Sequence, residues 1–113
     1  MLEPLTSAVF QVLLALSEGP LHGYGVLRTV RDTMGHGATA GPSTIYGTLQ
    51  RLVDRGWVAV VRRGASGRRR YTLTPAGHRA LWAESERLVG LAALVTDRGL
   101  VPTADHGIRA SGG

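Results

Sequence analysis

The chain of 113 residues contains no cysteine and no lysine. Without cysteine, the protein has no disulfide framework, no thiol nucleophile and no cysteine-based zinc site. No apolar run approaches the ~18 residues that a membrane-spanning helix needs. The acidic start at Glu3 is unlike the basic start of a signal peptide. The length is that of one domain. Because neither a membrane span nor a signal peptide is predicted, we expect a cytoplasmic protein without a membrane partner.

Residues suited to catalysis or metal binding are also sparse. The eight acidic residues form no paired-carboxylate motif, and the glycines form no phosphate-binding loop. The four histidines are far apart, and none has a partner at metal-ligand spacing. His22 is expected to cap or pack near the start of a helix. We expect no enzymatic activity, no metal and no cofactor.

The positive charge is concentrated in one segment. All 13 basic residues are arginine, and residues 43–71 contain seven of them against one aspartate, a net charge of +6. The rest of the chain has six arginines and seven acidic residues. Exclusive use of arginine fits the codon bias of a GC-rich genome, but its clustering predicts binding to a polyanion.

Hydrophobic periodicity predicts three helices in the first half of the chain. Apolar residues recur every three or four positions over residues 5–17 and 21–33, and a glycine-rich connector follows at 35–41. The third helix is expected to begin at Pro42 or Ser43, with serine suited to the N-cap. It is expected to end at Gly56.

After Gly56 the hydrophobic pattern changes from helical spacing to one typical of strands. After residue 73 it returns to helical spacing. Residues 57–61 and 69–73 predict a hairpin around a turn at 64–67. Thr74 as N-cap and Pro75 as first residue predict a fourth helix.

Three helices followed by a hairpin is the element order of a winged helix. The expected fold is mainly α with a small hairpin: a winged helix-turn-helix at 1–73, a dimerisation helix at 74–96 and a mobile tail at 97–113. In this fold the third helix enters the DNA major groove and the hairpin, or wing, touches the backbone or minor groove. The positively charged segment coincides with these two elements, which favours double-stranded DNA as partner.

Four short motifs occur in order along residues 5–81. They are GPLHGY at 19–24, STIYGTLQRL at 43–52, RGWV at 55–58 and RRYTLTPAG at 69–77. Together they resemble the PadR family of bacterial transcriptional regulators. The resemblance implies a homodimeric repressor whose C-terminal helix supplies much of the dimer interface. The chain departs from the family pattern at Gly47, often proline, and at Arg70, often aromatic.

The candidate DNA contacts lie mainly on the third helix and the wing. Thr44, Thr48 and Arg51 are expected to read base edges, the alternative being an ordinary solvated face. Tyr46 is expected to bond a phosphate, or else to pack its ring on the wing or the second helix. The full set is Tyr24, Arg28, Ser43, Thr44, Tyr46, Thr48, Arg51, Arg68, Arg69 and Arg70.

The remaining contacts carry their own alternatives. Arg68, Arg69 and Arg70 are expected to face phosphates or a narrow minor groove. Strand alternation sends one of the three to the opposite side, and Arg70 is expected to have the structural role, such as an ion pair with an acid. Tyr24 and Arg28 would touch the DNA backbone, with Tyr24 in the core as the alternative.

The fourth helix carries a broad apolar stripe that one helix cannot cover. We expect it to form a dimer interface. Trp82 either lines a pocket for a flat aromatic effector, an idea raised by the family resemblance, or anchors the core against the first helix. The predicted interface residues are Leu81, Trp82, Ser85, Leu88, Val89, Ala92 and Val95.

The sequence therefore predicts a sequence-specific DNA-binding regulator. We expect it to be a repressor that binds an inverted repeat as a homodimer. The alternatives are a regulator that senses a drug or metabolite, and a winged-helix module that binds protein or RNA.

Overall fold

The computed structural model describes residues 5–34, 41–63 and 68–100. The predicted connector, apart from Gly41, the wing turn and the tail beyond residue 100 lie outside the described residues. A short 3₁₀ turn at Leu16–Glu18 extends the first helix. The elements are α1 (Ser7–Ala15), α2 (Gly23–Met34), α3 (Pro42–Arg55), β1 (Val58–Arg63), β2 (Arg68–Leu73) and α4 (Pro75–Asp97). The mainly helical fold with one hairpin confirms the predicted fold class.

Helix ends follow local chemistry closely. Thr74 caps α4 by accepting a hydrogen bond from the backbone N–H of Gly77, as predicted. Gly56 ends α3 at φ +88°, a conformation that favours glycine. Ser43 is not the N-cap of α3, because Pro42 occupies the first helical position and Gly41 precedes it as cap. The fourth helix reaches Asp97, one residue into the predicted tail.

The core lies where α1, α2 and α3 meet the hairpin and the start of α4. Apolar residues spaced by three or four along each helix supply it, as the periodicity predicts. Its buried members are Val12, Leu13, Ala15, Leu16, Val26, Leu27, Val30, Ile45, Leu49, Leu52, Val58, Leu73 and Leu81.

Leu81 belongs to this core, so its prediction as a dimer contact is wrong. The first half of α4 buries Gly77, Ala80, Leu81 and Glu84, which recur at helical spacing on one face. Contacts between α1 and α4 cover that face within the protomer.

The hairpin is tied to the start of α2. Its strands are antiparallel, with Val58 opposite Leu73 and Arg62 opposite Arg69. Leu21 and Tyr71 exchange two backbone hydrogen bonds of 3.0 and 2.8 Å. The wing therefore projects from a fixed base beside α2.

The second half of α4 makes little use of this core. Every residue from Val89 to Leu100 is exposed. Within the described residues, no helix is long and apolar enough to cross a membrane.

Candidate nucleic-acid interface

The solvent-facing side of α3 is polar and positively charged. Ile45, Leu49 and Leu52 turn inward, which leaves other side chains on the outer side. Ser43, Thr44 and Arg51 are exposed there. A DNA groove could therefore reach these three side chains. Their roles stay predictions.

Thr48 does not belong to that exposed face. Its side chain is 0% exposed, so the prediction that it reads a base edge is wrong. Thr48 lies beside the buried row of Ile45 and Leu52, at the boundary between the two faces. Its hydroxyl accepts a hydrogen bond from Arg51 Nη2 at 3.3 Å. The hydroxyl therefore steadies the guanidinium of Arg51, a role that sequence reasoning missed.

Tyr46 packs against the start of α2. A Cβ placed on Gly23 would lie 2.8 Å from Tyr46 Cε1, so the absence of a side chain at Gly23 makes this approach possible. This contact matches the alternative expectation for Tyr46, in which the ring packs on the second helix. The residue nevertheless remains exposed, and its phosphate contact stays a prediction.

The predicted contacts on α2 are on the surface. Tyr24 is 60% exposed, which excludes its placement in the core. Arg28 is also exposed and lies one turn further along the same face of α2. Both side chains are available to a partner that covers the beginning of α2.

The wing brings like charges together. Arg62 and Arg69 are directly opposite each other in the strand register, and both are exposed. Like charges at directly opposed positions destabilise a strand pair. This arrangement favours a negatively charged partner over open solvent.

The alternation of the wing arginines differs from expectation. The guanidinium carbon of Arg69 lies 5.7 Å from the ring centre of Tyr71, on the face that also carries Leu73. Arg68 and Arg70 are on the other face, so Arg69 is the one set apart. Arg70 is half-buried. Among the described residues it forms no ion pair, and the structural role predicted for it is not supported.

A cation–π contact closes the end of α3. The guanidinium carbon of Arg55 lies 4.2 Å from the ring centre of Trp57, a distance typical of this interaction. Sequence reasoning missed the pairing, although an arginine two positions from a tryptophan across a helix end is a readable signal.

The exposed apolar residues of α4 form a second candidate surface. Trp82 is 69% exposed and Val89 is 70% exposed, so Trp82 as a core anchor is wrong. Ala92 and Val95 are exposed, whereas Ser85 and Leu88 are half-buried. Their place in a dimer interface stays a prediction.

Glu84 joins α4 to the beginning of the described chain. Its buried carboxylate accepts two hydrogen bonds from Arg87, one of them from Nε at 3.0 Å. Hydrogen bonding to Arg87, with a further bond to the backbone of Leu5, holds the pKa of the Glu84 carboxyl below its ordinary value. In turn, the hydrogen bond with Glu84 raises the pKa of the Arg87 guanidinium. This pair was not predicted from the sequence.

The role of His22, capping or packing, stays a prediction. It is half-buried beside the start of α2, and its Nε2 is buried without a hydrogen-bond partner. Over the described ranges, no group of three or more metal-ligating side chains occurs.

Comparison with known sequences gives one family match. The model of the transcriptional regulator PadR-like family matches residues 12–83. A curated relative from Streptomyces fradiae, an uncharacterized 37.1 kDa protein in transposon TN4556, is 38% identical over 85 residues. The aligned part covers 74% of this chain and 24% of that protein, so the chain spans about a quarter of the relative's length.

Two solved structures resemble the chain over most of its length. The structure of Bacillus subtilis PadR in complex with operator DNA is 27% identical, with a TM-score of 0.60 and coverage of 72% of this chain and 46% of that one. A structure describing regulation of DNA binding of Bordetella bronchiseptica BpsR by 6-hydroxynicotinic acid is 29% identical. Its TM-score is 0.63, with coverage of 92% of this chain and 74% of that one.

Proposed function

Because the chain belongs to the PadR-like family of transcriptional regulators, we propose that it is a repressor that binds an inverted-repeat operator as a homodimer. In this proposal α3 lies in the major groove, and the wing lies on the backbone or in the minor groove. Membership of a family of transcriptional regulators also agrees with the expectation that the protein has no enzymatic activity.

The proposal depends above all on the charge and exposure of α3 and the wing. The two elements are consecutive in the chain, separated by Gly56 and Trp57. The segment 43–71 carries a net charge of +6, and its arginines at 51, 62 and 69 are exposed. Helix-turn-helix proteins bind DNA with a helix of this kind in the major groove.

The side chains on these elements suggest a division of labour. Arg51 and Thr44 on α3 are suited to base edges, since arginine pairs bidentately with guanine and threonine contacts the thymine methyl. Arg68, Arg69 and Arg70 on the wing are suited to phosphates, which fix position without carrying sequence information. Tyr24, Arg28, Ser43 and Tyr46 would contact the backbone beside α3.

Two unpartnered apolar surfaces support the homodimer. The second half of α4 exposes Leu91 and Leu94 beside Val89 and Val95. An open groove of about 380 Å³ between α1 and α2 is lined in part by Phe10, Leu14 and Val30. Exposed apolar residues that are grouped on one element suggest an interface. A two-fold pair would present two α3 helices to successive major grooves, ~34 Å apart.

Selection from a random duplex library tests the proposal. The protein is expected to enrich an inverted repeat, and light scattering is expected to give two protomers per duplex. Enrichment of no sequence, or competition by double-stranded RNA as strong as by the selected duplex, would contradict sequence-specific DNA binding. A monomer on the selected duplex would contradict the dimer alone.

A second candidate function is response to a flat aromatic effector. The specific observation is the exposed indole of Trp82, which is followed on α4 by the small residues Ala83 and Ser85. The BpsR structure, which concerns regulation of DNA binding by 6-hydroxynicotinic acid, makes a small aromatic acid the first compound to test. Such a ligand would shift DNA affinity by its differential affinity for two dimer geometries.

Tryptophan fluorescence locates such a ligand. Quenching by 6-hydroxynicotinic acid and related planar compounds is expected in the Trp57→Phe variant and is expected to be lost in the Trp82→Phe variant. Quenching that persists in Trp82→Phe but disappears in Trp57→Phe would place the ligand near the end of α3 instead.

A further inference from the structure

The end of α3 and the beginning of α4 are joined by one side chain. The hydroxyl of Thr74 donates a hydrogen bond to the backbone carbonyl of Gly56 at 2.7 Å. The same oxygen accepts a hydrogen bond from the backbone N–H of Gly77 at 3.0 Å. Thr74 therefore bonds the left-handed residue that ends α3 and the first turn of α4 at once.

Backbone contacts reinforce this connection. The N–H of Thr74 donates to the carbonyl of Trp57 at 3.0 Å. A Cβ on Gly77 would lie 2.0 Å from that carbonyl oxygen, so α4 approaches the chain at Trp57 as closely as only glycine permits. We name the set Gly56, Trp57, Thr74 and Gly77 the Thr74 junction.

The junction links the two surfaces to which different partners are assigned. DNA contacts lie on α3 and the wing, while the exposed apolar residues lie on α4. Along the chain, the two strands of the wing separate α3 from α4. The junction connects the two helices directly at the base of the wing. The face of α4 that α1 covers ends near Glu84, so this short face and the junction at the first turn together fix the direction in which α4 leaves the core.

We propose that the Thr74 junction positions α3 relative to α4 and thereby sets the spacing between the two DNA-reading helices of the dimer. Thr74 is the positioning residue, acting through the ends of the two helices and touching no partner itself. This inference rests on the proposed function, since it needs a dimer formed through α4 and an operator read by α3.

The physical argument is one of preorganisation. A dimer binds both half-sites at once only when the separation of its α3 helices matches the operator, and binding at the second half-site then benefits from a high effective concentration. If only a fraction of molecules has the matching geometry, apparent affinity falls by that fraction. A loosened junction would spread the separation and reduce that fraction.

Two substitutions separate capping of α4 from coupling of the two helices. Thr74→Asp keeps an N-cap acceptor for Gly77 but removes the hydroxyl donor to Gly56, because an ionised carboxylate only accepts hydrogen bonds. Thr74→Ser retains both bonds. A role in folding alone predicts that the two variants behave alike, since both cap the helix.

The first measurement is the distance between α3 and α4 within one protomer. Since the chain has no cysteine, Gln50→Cys and Ala83→Cys provide two unique sites for spin labels on exposed positions of the helices. Labelled protein is diluted into excess unlabelled protein so that distances between protomers are rare. A narrow distribution is expected in the otherwise unaltered protein and with Thr74→Ser, and a broader or shifted one with Thr74→Asp.

The second measurement is affinity for selected duplexes whose half-sites are moved apart or together by one base pair. Thr74→Asp is expected to lose about tenfold on the best spacing, corresponding to a tenfold smaller competent fraction, and to discriminate less among spacings. Affinity for a single half-site is expected to stay unchanged, and Thr74→Ser is expected to restore the spacing preference.

The outcomes distinguish this inference from the proposed function. An unchanged distance distribution in Thr74→Asp overturns the junction, whatever the protein binds. A broadened distribution with an unchanged spacing preference on a selected operator also overturns it. Failure to select any duplex overturns the proposed function, and with it the DNA-spacing role.

Discussion

The helices α3 and α4 both turn one apolar face inward, but the surfaces that they leave exposed differ in chemistry. Exposed positions of α3 include Ser43, Thr44 and Arg51, whereas those of α4 include Trp82 and Val89. A polar, positively charged face is stable in water and attracts anions. An apolar face of comparable length is costly to leave in water.

The difference teaches that the inward stripe of a helix reveals the fold, while its outer face indicates the kind of partner. For α3 the outer face favours a nucleic acid, and for α4 it favours a second copy of the chain or an apolar ligand.

The largest expected effect is the salt dependence of DNA binding by the α3 and wing surface. If six or more phosphates are neutralised per dimer, affinity for the selected duplex should fall about a thousandfold or more between ~50 and ~200 mM salt, because bound counterions are released. Fluorescence anisotropy over this range measures the slope. Affinity that does not change with salt would remove the contrast by showing that α3 does not bind a polyanion.

The next effect concerns α4. Val95 lies on the predicted interface stripe and is exposed in the protomer, so Val95→Asp should leave the fold intact while placing a charge in an apolar interface. We expect monomers by light scattering and a loss of operator affinity of about a hundredfold or more, since avidity between half-sites is lost.

Ala83→Asp is the matched control for Val95→Asp. It places the same charge at an exposed position in the first half of α4, and the dimer should persist. If Val95→Asp remains dimeric at micromolar concentration, the second half of α4 is not the interface.

A smaller effect divides the labour within the positively charged surface. Arg51→Ala should cost about 1–3 kcal/mol on the selected operator if Arg51 reads guanine, and little on a scrambled duplex. Arg69→Ala on the wing should weaken binding to both duplexes alike, because phosphate contacts carry no sequence information. Equal losses on the two duplexes for Arg51→Ala would make Arg51 a backbone contact.

Thr48→Val refines this comparison. Valine retains the buried volume at position 48 but removes the hydroxyl that bonds Arg51. The variant should lose part of the sequence discrimination that Arg51→Ala loses entirely. Unchanged discrimination would show that Arg51 is held by the DNA alone.

The smallest effect is the pH dependence of the Glu84–Arg87 pair. Folding lowers the pKa of Glu84 below its ordinary value of 4.5, chiefly through the hydrogen bond from Arg87. The stabilisation is therefore fully present above pH 4.5 and is lost as pH falls through the lowered pKa. The difference in unfolding free energy between the parent protein and Glu84→Gln should shrink over that window in urea titrations.

Glu86→Gln serves as control for this measurement. Glu86 is an exposed acid on the same helix, and its replacement should change the unfolding free energy by less than about 0.5 kcal/mol at any pH tested. A difference for Glu84→Gln that is constant with pH would show that the carboxylate makes no net contribution as an ion.

Features set by neighbouring residues were readable from the sequence. Thr74 as N-cap of α4 and Gly56 at the end of α3 depend on hydrogen bonds within one helical turn, and both predictions are confirmed. Of the two predicted starts of α3, Pro42 is confirmed, and Ser43 as N-cap is not, because Pro42 occupies the first helical position. The order of helices and hairpin followed from changes of period alone.

Features set by packing between elements were not readable. Thr48 lies four residues after Thr44 and three before Arg51, so the spacing places it on their face of α3. Neighbouring elements nevertheless cover it, because it lies at the edge of the buried row. For α4, the pattern shows a broad apolar stripe without indicating which part α1 covers. Leu81 therefore lies in the core although it was predicted at the dimer interface, and Trp82 lies on the surface, which excludes the alternative of a core anchor.

The opposed pair Arg62 and Arg69 has a consequence for the energetics of the free protein. Repulsion at directly opposed positions destabilises a strand pair, so the hairpin is locally frustrated even though the core beneath it is well packed. Any anion that binds between these guanidinium groups stabilises the native state through linkage. We therefore expect the amide protons of the wing strands to gain protection when the partner binds, because the charges of the partner relieve this repulsion.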